Sequence, residues 1–192
     1  MSEILTINTE QGIIKEEKIE PLPLYDENHP MLRQIIPEYD VTRLPNPVMS
    51  NLIKRMKVTM QQFGGIGLSA NQCGVFERVF VIGTGEFQLA CINPKIVSKS
   101  IKANKSEEGC LSYPGLYVKV YRSDEITAEF TDENGNTKQL EMSGLTARCF
   151  MHELDHMNGI SMLDHVGPVA IKMAKKKQEK IIKKVKRLKN NV

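Results

Sequence analysis

Met151-His152-Glu153-Leu154-Asp155-His156-Met157-Asn158-Gly159 is the stretch whose reading decides the rest. It contains His-Glu-x-x-His. On an α-helix, positions four apart lie on one face, one turn above the other. His152 and His156 therefore present two imidazoles to one cation, with the Glu153 carboxylate beside them. Such a set suits a metal hydrolase: two nitrogens hold the ion, and the carboxylate takes a proton from its water. The bare motif also arises by chance in helices with solvated or core histidines, so the surrounding residues must decide.

Ser143 is a candidate N-cap and Gly159 a candidate stop, which predicts a helix over 144–158. Leu145, Cys149, His152 and His156 fall on one stripe; Phe150, Leu154 and Met157 fall on another. Apolar residues on more than one face predict a helix buried in the core. Asp155 lies inside that helix, so its charge needs a partner. Arg122 is the expected one. Strands are expected at 78–83, 87–92, 95–100, 116–121, 125–131 and 137–142, with Asp132-Glu133-Asn134-Gly135 as a hairpin turn. A further helix is expected over 47–63. Pro47 lies in its first turn, and Val48, Leu52, Met56, Met60 and Phe63 form its apolar face. Strands grouped around one helix predict an α+β fold, with antiparallel sheets packed around the motif-bearing helix.

The 192 residues fit one domain with a sizeable core. The expected organisation is an N-terminal extension over 1–25, with a short strand at Ile4-Leu5-Thr6-Ile7, a catalytic domain over 26–167 and a basic helix over 168–192. Nothing in the sequence resembles a membrane span or a signal peptide, so a cytoplasmic location is expected. In that compartment Cys73, Cys91, Cys110 and Cys149 are expected as thiols, three of them small core residues.

Charge is unevenly placed. Residues 172–192 hold ten of the 26 Lys and Arg and a single acid, Glu179; the tail carries +9 and the rest −6. Ile171, Ala174, Ile181, Val185 and Leu188 make a narrow apolar stripe on this helix, with Gln178 in the gap. Its other faces are basic, which points to an anionic partner. It has no aromatic residues, which argues against base stacking or lipid insertion.

Two other stretches carry candidate chemistry. Gly64-Gly65-Ile66-Gly67-Leu68-Ser69-Ala70-Asn71-Gln72 allows close backbone approach but lacks the spacing of a phosphate loop. Glu107-Glu108-Gly109-Cys110-Leu111-Ser112-Tyr113-Pro114-Gly115 reads as a loop that presents a cysteine. Cys110, His152 and His156 together would give a metal three protein ligands and leave a fourth position open. Gln72 and the Leu111 amide could donate to an oxyanion.

In this order, the Gly65–Gln72, Glu108–Ser112 and His152–His156 motifs resemble those of the peptide deformylases, over about residues 26–163. The resemblance implies removal of the formyl group from N-formylmethionine on nascent chains, with a water on the metal attacking the formyl carbon. It implies Cys110, His152 and His156 as ligands, Glu153 as general acid/base, and Gln72 and the Leu111 amide at the oxyanion. The backbone at Ile66, Gly67 and Gly109 would pair with the peptide, and Leu145 and Cys149 would line the methionine pocket. Fe2+ is the metal it implies, although the ligand set would also suit Zn2+, Ni2+ or Co2+. Because some bacterial members dock on the ribosome through a C-terminal helix, the basic tail takes that expectation. Some residues depart from the family pattern. Ser69 replaces an alanine, a small change. Arg148 stands where many members have an aliphatic residue, which predicts a charge at the pocket rim. Tyr117 lies near the place of a substrate-contacting arginine.

Two other readings remain open on the residues. A zincin-type endopeptidase shares the helix motif but takes its third ligand downstream, where His165 is the remaining histidine. A binding protein with a structural metal and an RNA-binding tail would give Glu153 and Gln72 no task.

Overall fold

The computed structural model describes residues 19–85 and 87–189. The strand expected at Ile4-Leu5-Thr6-Ile7 lies outside them. The fold is α+β, with seven strands and three α-helices among the described residues. The strands are β1 (Gly67–Ser69), β2 (Val79–Thr84), β3 (Phe87–Lys99), β4 (Ala103–Cys110), β5 (Tyr113–Ser123), β6 (Glu125–Thr131) and β7 (Thr137–Ser143). The helices are α1 (Pro47–Gln62), α2 (Gly144–Met157) and α3 (Pro168–Lys189). One antiparallel sheet runs β1-β2-β3-β6-β7, and β4 and β5 form a separate hairpin.

β2 explains the layering. Successive strand residues point to opposite faces. Val79 and Val81 face α1 with Met49, Ile53, Met56 and Met60. Phe80 and Ile82 face α2 with Ala147, Phe150 and Met157. The Phe80 and Phe150 rings meet edge to face at 5.0 Å, a favoured aromatic geometry. β2 is thus buried on both sides, and α2 lies in the interior as its two apolar faces require.

The α1 register differs from the sequence expectation. Its buried positions are Met49, Ile53, Met56 and Met60; Val48 is 80% exposed, and Phe63, just past the helix, is half exposed. The Asn46 side chain accepts the Met49 N–H at 2.8 Å and caps the helix, which places Val48 in the first turn facing solvent. The two strands expected at 87–92 and 95–100 are one strand, β3, with a bulge near Asn93. Asn93 has φ of 50°, and its side chain exchanges two 2.8 Å hydrogen bonds with the Tyr39 backbone.

The expected loop before Cys110 is instead β4, whose sequence Ala-Asn-Lys-Ser-Glu-Glu-Gly-Cys is mostly solvated. Its pairing with β5 holds it, and only Glu108 turns fully inward. At the start of α2, Ser143 occupies the N-cap position but its side chain makes no capping bond. Gly159, with φ of 70°, follows the helix end as expected.

The β4–β5 hairpin has its own apolar cluster: Tyr113, Leu116, Val118 and Val120 pack with Met162 and Ala174. α3 therefore lies on β5, with Ile171, Ala174, Gln178 and Ile181 towards the body. The Gln178 amide donates to the Pro114 carbonyl at 2.9 Å. Val185 and Leu188 side chains lie outside the described residues. Among the described residues no helix is long and apolar enough to cross a membrane.

Candidate active site

α2, the end of β4 and β1 converge on a cleft of about 450 Å³. His152 and His156 are one helical turn apart, with ring centroids 5.1 Å from each other. Cys110 enters from β4, and its Sγ lies 3.2 Å from His156 Nε2. The candidate ligand atoms of Cys110, His152 and His156 all lie within 4.8 Å of one another. A thiolate and two imidazoles in this grouping fit a divalent transition metal, with room for a further ligand from the cleft.

The electrostatics agree. Burial, then the charge of His152, pushes His156 well below the usual histidine range, which keeps it neutral and able to ligate. Burial would also lower His152, but hydrogen bonds with Cys110 and Glu108 and the charge of Glu153 raise it overall. Positive charge is therefore favoured at this point. His152 Nδ1 contacts Glu108 Oε2 at 3.1 Å, which leaves Nε2 for the metal. Metal-bound histidines are commonly oriented by such a carboxylate.

Glu108 itself is the centre of a buried ion network. Arg122 donates to both of its oxygens at 3.0 Å, and Arg148 Nη1 donates to Oε1 at 2.7 Å. Burial would raise the Glu108 carboxyl, but His152 and Arg122 hold it well below the usual carboxylate range. Arg122 Nη1 also donates to Asp155 Oδ2 at 2.6 Å, the pair expected from the sequence. Arg148 is not a charge at the pocket rim: it is 7% exposed and its guanidinium is spent on Glu108, Asn104 and the Val120 carbonyl. His165 does not join the metal ligands; its Nε2 meets Asp155 Oδ2 at 2.7 Å. That removes the downstream ligand a zincin-type reading needs.

Glu153 lies on the cleft wall, 4% exposed, and burial raises its carboxyl above the usual range. Its Oε2 accepts from Ser69 Oγ at 2.7 Å. Gln72 is 1% exposed. Its carbonyl oxygen accepts the Ser69 N–H at 2.9 Å, so its amide nitrogen points to Ser112 Oγ at 3.1 Å and Cys110 Sγ at 3.3 Å. Leu111, Leu145 and Cys149 also line the cleft. Cys149 is buried and donates to the Ile66 carbonyl at 3.2 Å, a group that also accepts the Gly83 N–H at 2.8 Å. Leu145 is 65% exposed and stands at the mouth rather than deep inside. Ile66, Gly67 and Gly109 line the cleft as well. Tyr117 covers Gly109 so closely that a Cβ there would lie 2.7 Å from its ring.

The sequence reading missed Glu108, Arg148 and Ser69 as parts of this site. Glu108 lies two residues before Cys110 on β4, but that spacing is a signal only once a strand is known there, and the solvated sequence does not reveal one.

A helix offering two histidines and a glutamate, and a strand offering a thiolate, define a metal-dependent hydrolase of α+β fold. The chain belongs to the polypeptide deformylase family, whose profile matches residues 21–172. It is 37% identical to the peptide deformylase of Thermotoga maritima over 139 residues, 72% of this chain and 85% of that one. It is 36% identical to that of Stenotrophomonas maltophilia over 162 residues, 83% and 95% of the two chains. Among solved structures, the peptide deformylase of Legionella pneumophila superposes with a TM-score of 0.77 at 34% identity, over 90% of this chain and 99% of that one. That of Thermotoga maritima superposes with a TM-score of 0.73 at 32% identity, over 78% and 99%.

Proposed function

We propose that the enzyme hydrolyses the formyl group from N-terminal formylmethionine of nascent polypeptides, with Cys110, His152 and His156 holding one divalent metal ion. The convergence of these three residues with Glu153 and Gln72 in a single cleft carries the reading. Fe2+ is the proposed metal, with Zn2+, Ni2+ or Co2+ suited to the same donors. When bound, the ion supplies Lewis acidity, polarising the formyl oxygen and making a water acidic.

The chain's own groups do the rest. Glu153 takes a proton from the attacking water and gives it to the departing amine nitrogen, as the formyl C–N bond breaks and formate leaves. A raised carboxyl suits that exchange, because its pKa moves towards working pH. The Gln72 amide and the Leu111 N–H stabilise negative charge on the formyl oxygen. In the resting site both Gln72 N–H groups are engaged, one by Ser112 and one by Cys110, so one must turn to the substrate. The peptide enters as an added strand along the backbone of Ile66, Gly67 and Gly109. Methionine's side chain lies against Cys149, with Leu145 at the entrance.

The outer side of α3 exposes Lys172, Lys175, Lys176, Lys180, Lys183, Lys184 and Arg187. It is the proposed contact to ribosomal RNA phosphates in the cytoplasm, where nascent chains emerge. On its other side Ala174 packs into the β5 cluster.

The test is formate release from a formyl-Met-Ala-Ser tripeptide, with metal analysis of the same anaerobically purified protein. Release with one metal per chain is expected. No formate with any of the four metals, or cleavage of an internal amide instead, would overturn the reading.

A further inference from the structure

β1 is only three residues long, yet two of them face the same carboxylate. Gly67 and Ser69 are alternate residues and so share a strand face. A Cβ built on Gly67 would lie 2.4 Å from Glu153 Oε1, so the missing side chain is what lets that oxygen sit against the strand. Ser69 meets the other oxygen, Oε2, at 2.7 Å. Ser69 is fully buried. Its Oγ also lies 3.1 Å from the Glu153 carbonyl. A hydroxyl has one proton to give, and the shorter contact takes it.

We propose that Ser69 is a positioning residue for the general base: its hydroxyl pins Glu153 Oε2 and leaves Oε1 beside Gly67 on the cleft wall. The proposal rests on the deformylase reading above for what Glu153 does with that oxygen. Ser69 also holds Gln72, since its N–H binds the Gln72 carbonyl oxygen and so turns the amide nitrogen towards Cys110. One residue of β1 thus orients both side chains that complement the metal, one through its hydroxyl and one through its backbone. Only the first contact depends on residue type. An alanine at this position would supply the second but not the first. Without the hydroxyl, Oε2 would be left buried and unpaired. The carboxylate would then rotate to find another donor, and Oε1 would leave its place.

Ser69→Ala is the test, because alanine fits the strand and removes only the oxygen. Formyl-tripeptide kinetics should give a kcat lower by about tenfold, part of the 10²–10⁴-fold that a general base commands, with KM and metal content unchanged. In a Glu153→Gln background the same change should cost nothing further, since contributions through a shared partner do not add. A crystal structure of Ser69→Ala should find Oε1 moved from Gly67, a result that does not depend on the substrate. An unmoved carboxylate, a kcat within twofold of the parent, or an equal loss in the Glu153→Gln background would each overturn the proposal. Failure of the deformylase reading would appear separately, as a parent enzyme that releases no formate.

Discussion

Glu108→Gln should destabilise the protein strongly although it changes neither shape nor volume. The carboxylate is 5% exposed and accepts from Arg122 Nε and Nη2, Arg148 Nη1 and His152 Nδ1. A glutamine replaces one oxygen with an NH2. In either orientation that NH2 faces donors: Arg122 Nε and Arg148 on one side, Arg122 Nη2 and His152 on the other. The two guanidiniums then keep only Asp155 as a carboxylate in direct contact. Removing one member of a buried ion pair costs about 3–5 kcal/mol. For a chain of this size that corresponds to a fall in Tm of about 6–20 °C. Differential scanning calorimetry at pH 7 measures it. Glu108 also orients His152, so metal affinity should fall by about 10–100-fold. The pH dependence has a definite sign. The folded carboxyl is held far below its ordinary value of 4.5, so its contribution is fully present above that pH and declines as pH falls below it. The gap between parent and variant should therefore narrow in acid. A Tm within 2 °C of the parent at pH 7, or a gap that widens below pH 4.5, would refute the reasoning.

Glu153→Gln should retain metal and lose about 10²–10⁴-fold in kcat; a loss under tenfold would exclude Glu153 as the general base. After chelation, a thiol reagent should modify one cysteine rapidly in the folded protein, because Cys110 alone is partly exposed. Burial, helped by the charge of Glu153, pushes the Cys73 thiol up to about 12, and burial keeps Cys91 and Cys149 well above the ordinary range. Restoring the metal should protect Cys110, which mass spectrometry of the modified peptide would check. Deleting residues 172–192 should abolish ribosome co-sedimentation at low salt and, because Ala174 leaves the β5 cluster, lower Tm. Full-length protein that does not co-sediment would end the ribosomal reading.

The pairing of His152 and His156 was legible because helix periodicity alone brings them together. The Arg122–Asp155 pair was legible because a buried charge demands a partner. β4 was not, since its residues 103–107 are solvated and carry no apolar alternation; only its partner strand makes it one. Met56 and Met60 lie on the buried α1 face as expected, but its first turns were misread by one position because Val48 and Met49 are both apolar, and the Asn46 cap, not hydropathy, sets the rotation. Arg148 looked like a rim charge because nothing local reveals that Glu108, forty residues earlier, is waiting for it. Ser69 looked minor for the same reason: its partner Glu153 is 84 positions away.

β1 lies at one edge of the five-stranded sheet. Open sheet edges invite a second molecule to pair with them, which is how many β-proteins aggregate. Here the edge is three residues long and fully buried, and Gly67 lines the cleft together with Gly109 and Tyr117. An edge this short and buried thus offers little to a second folded copy, whereas a peptide end needs only a few residues to pair with it.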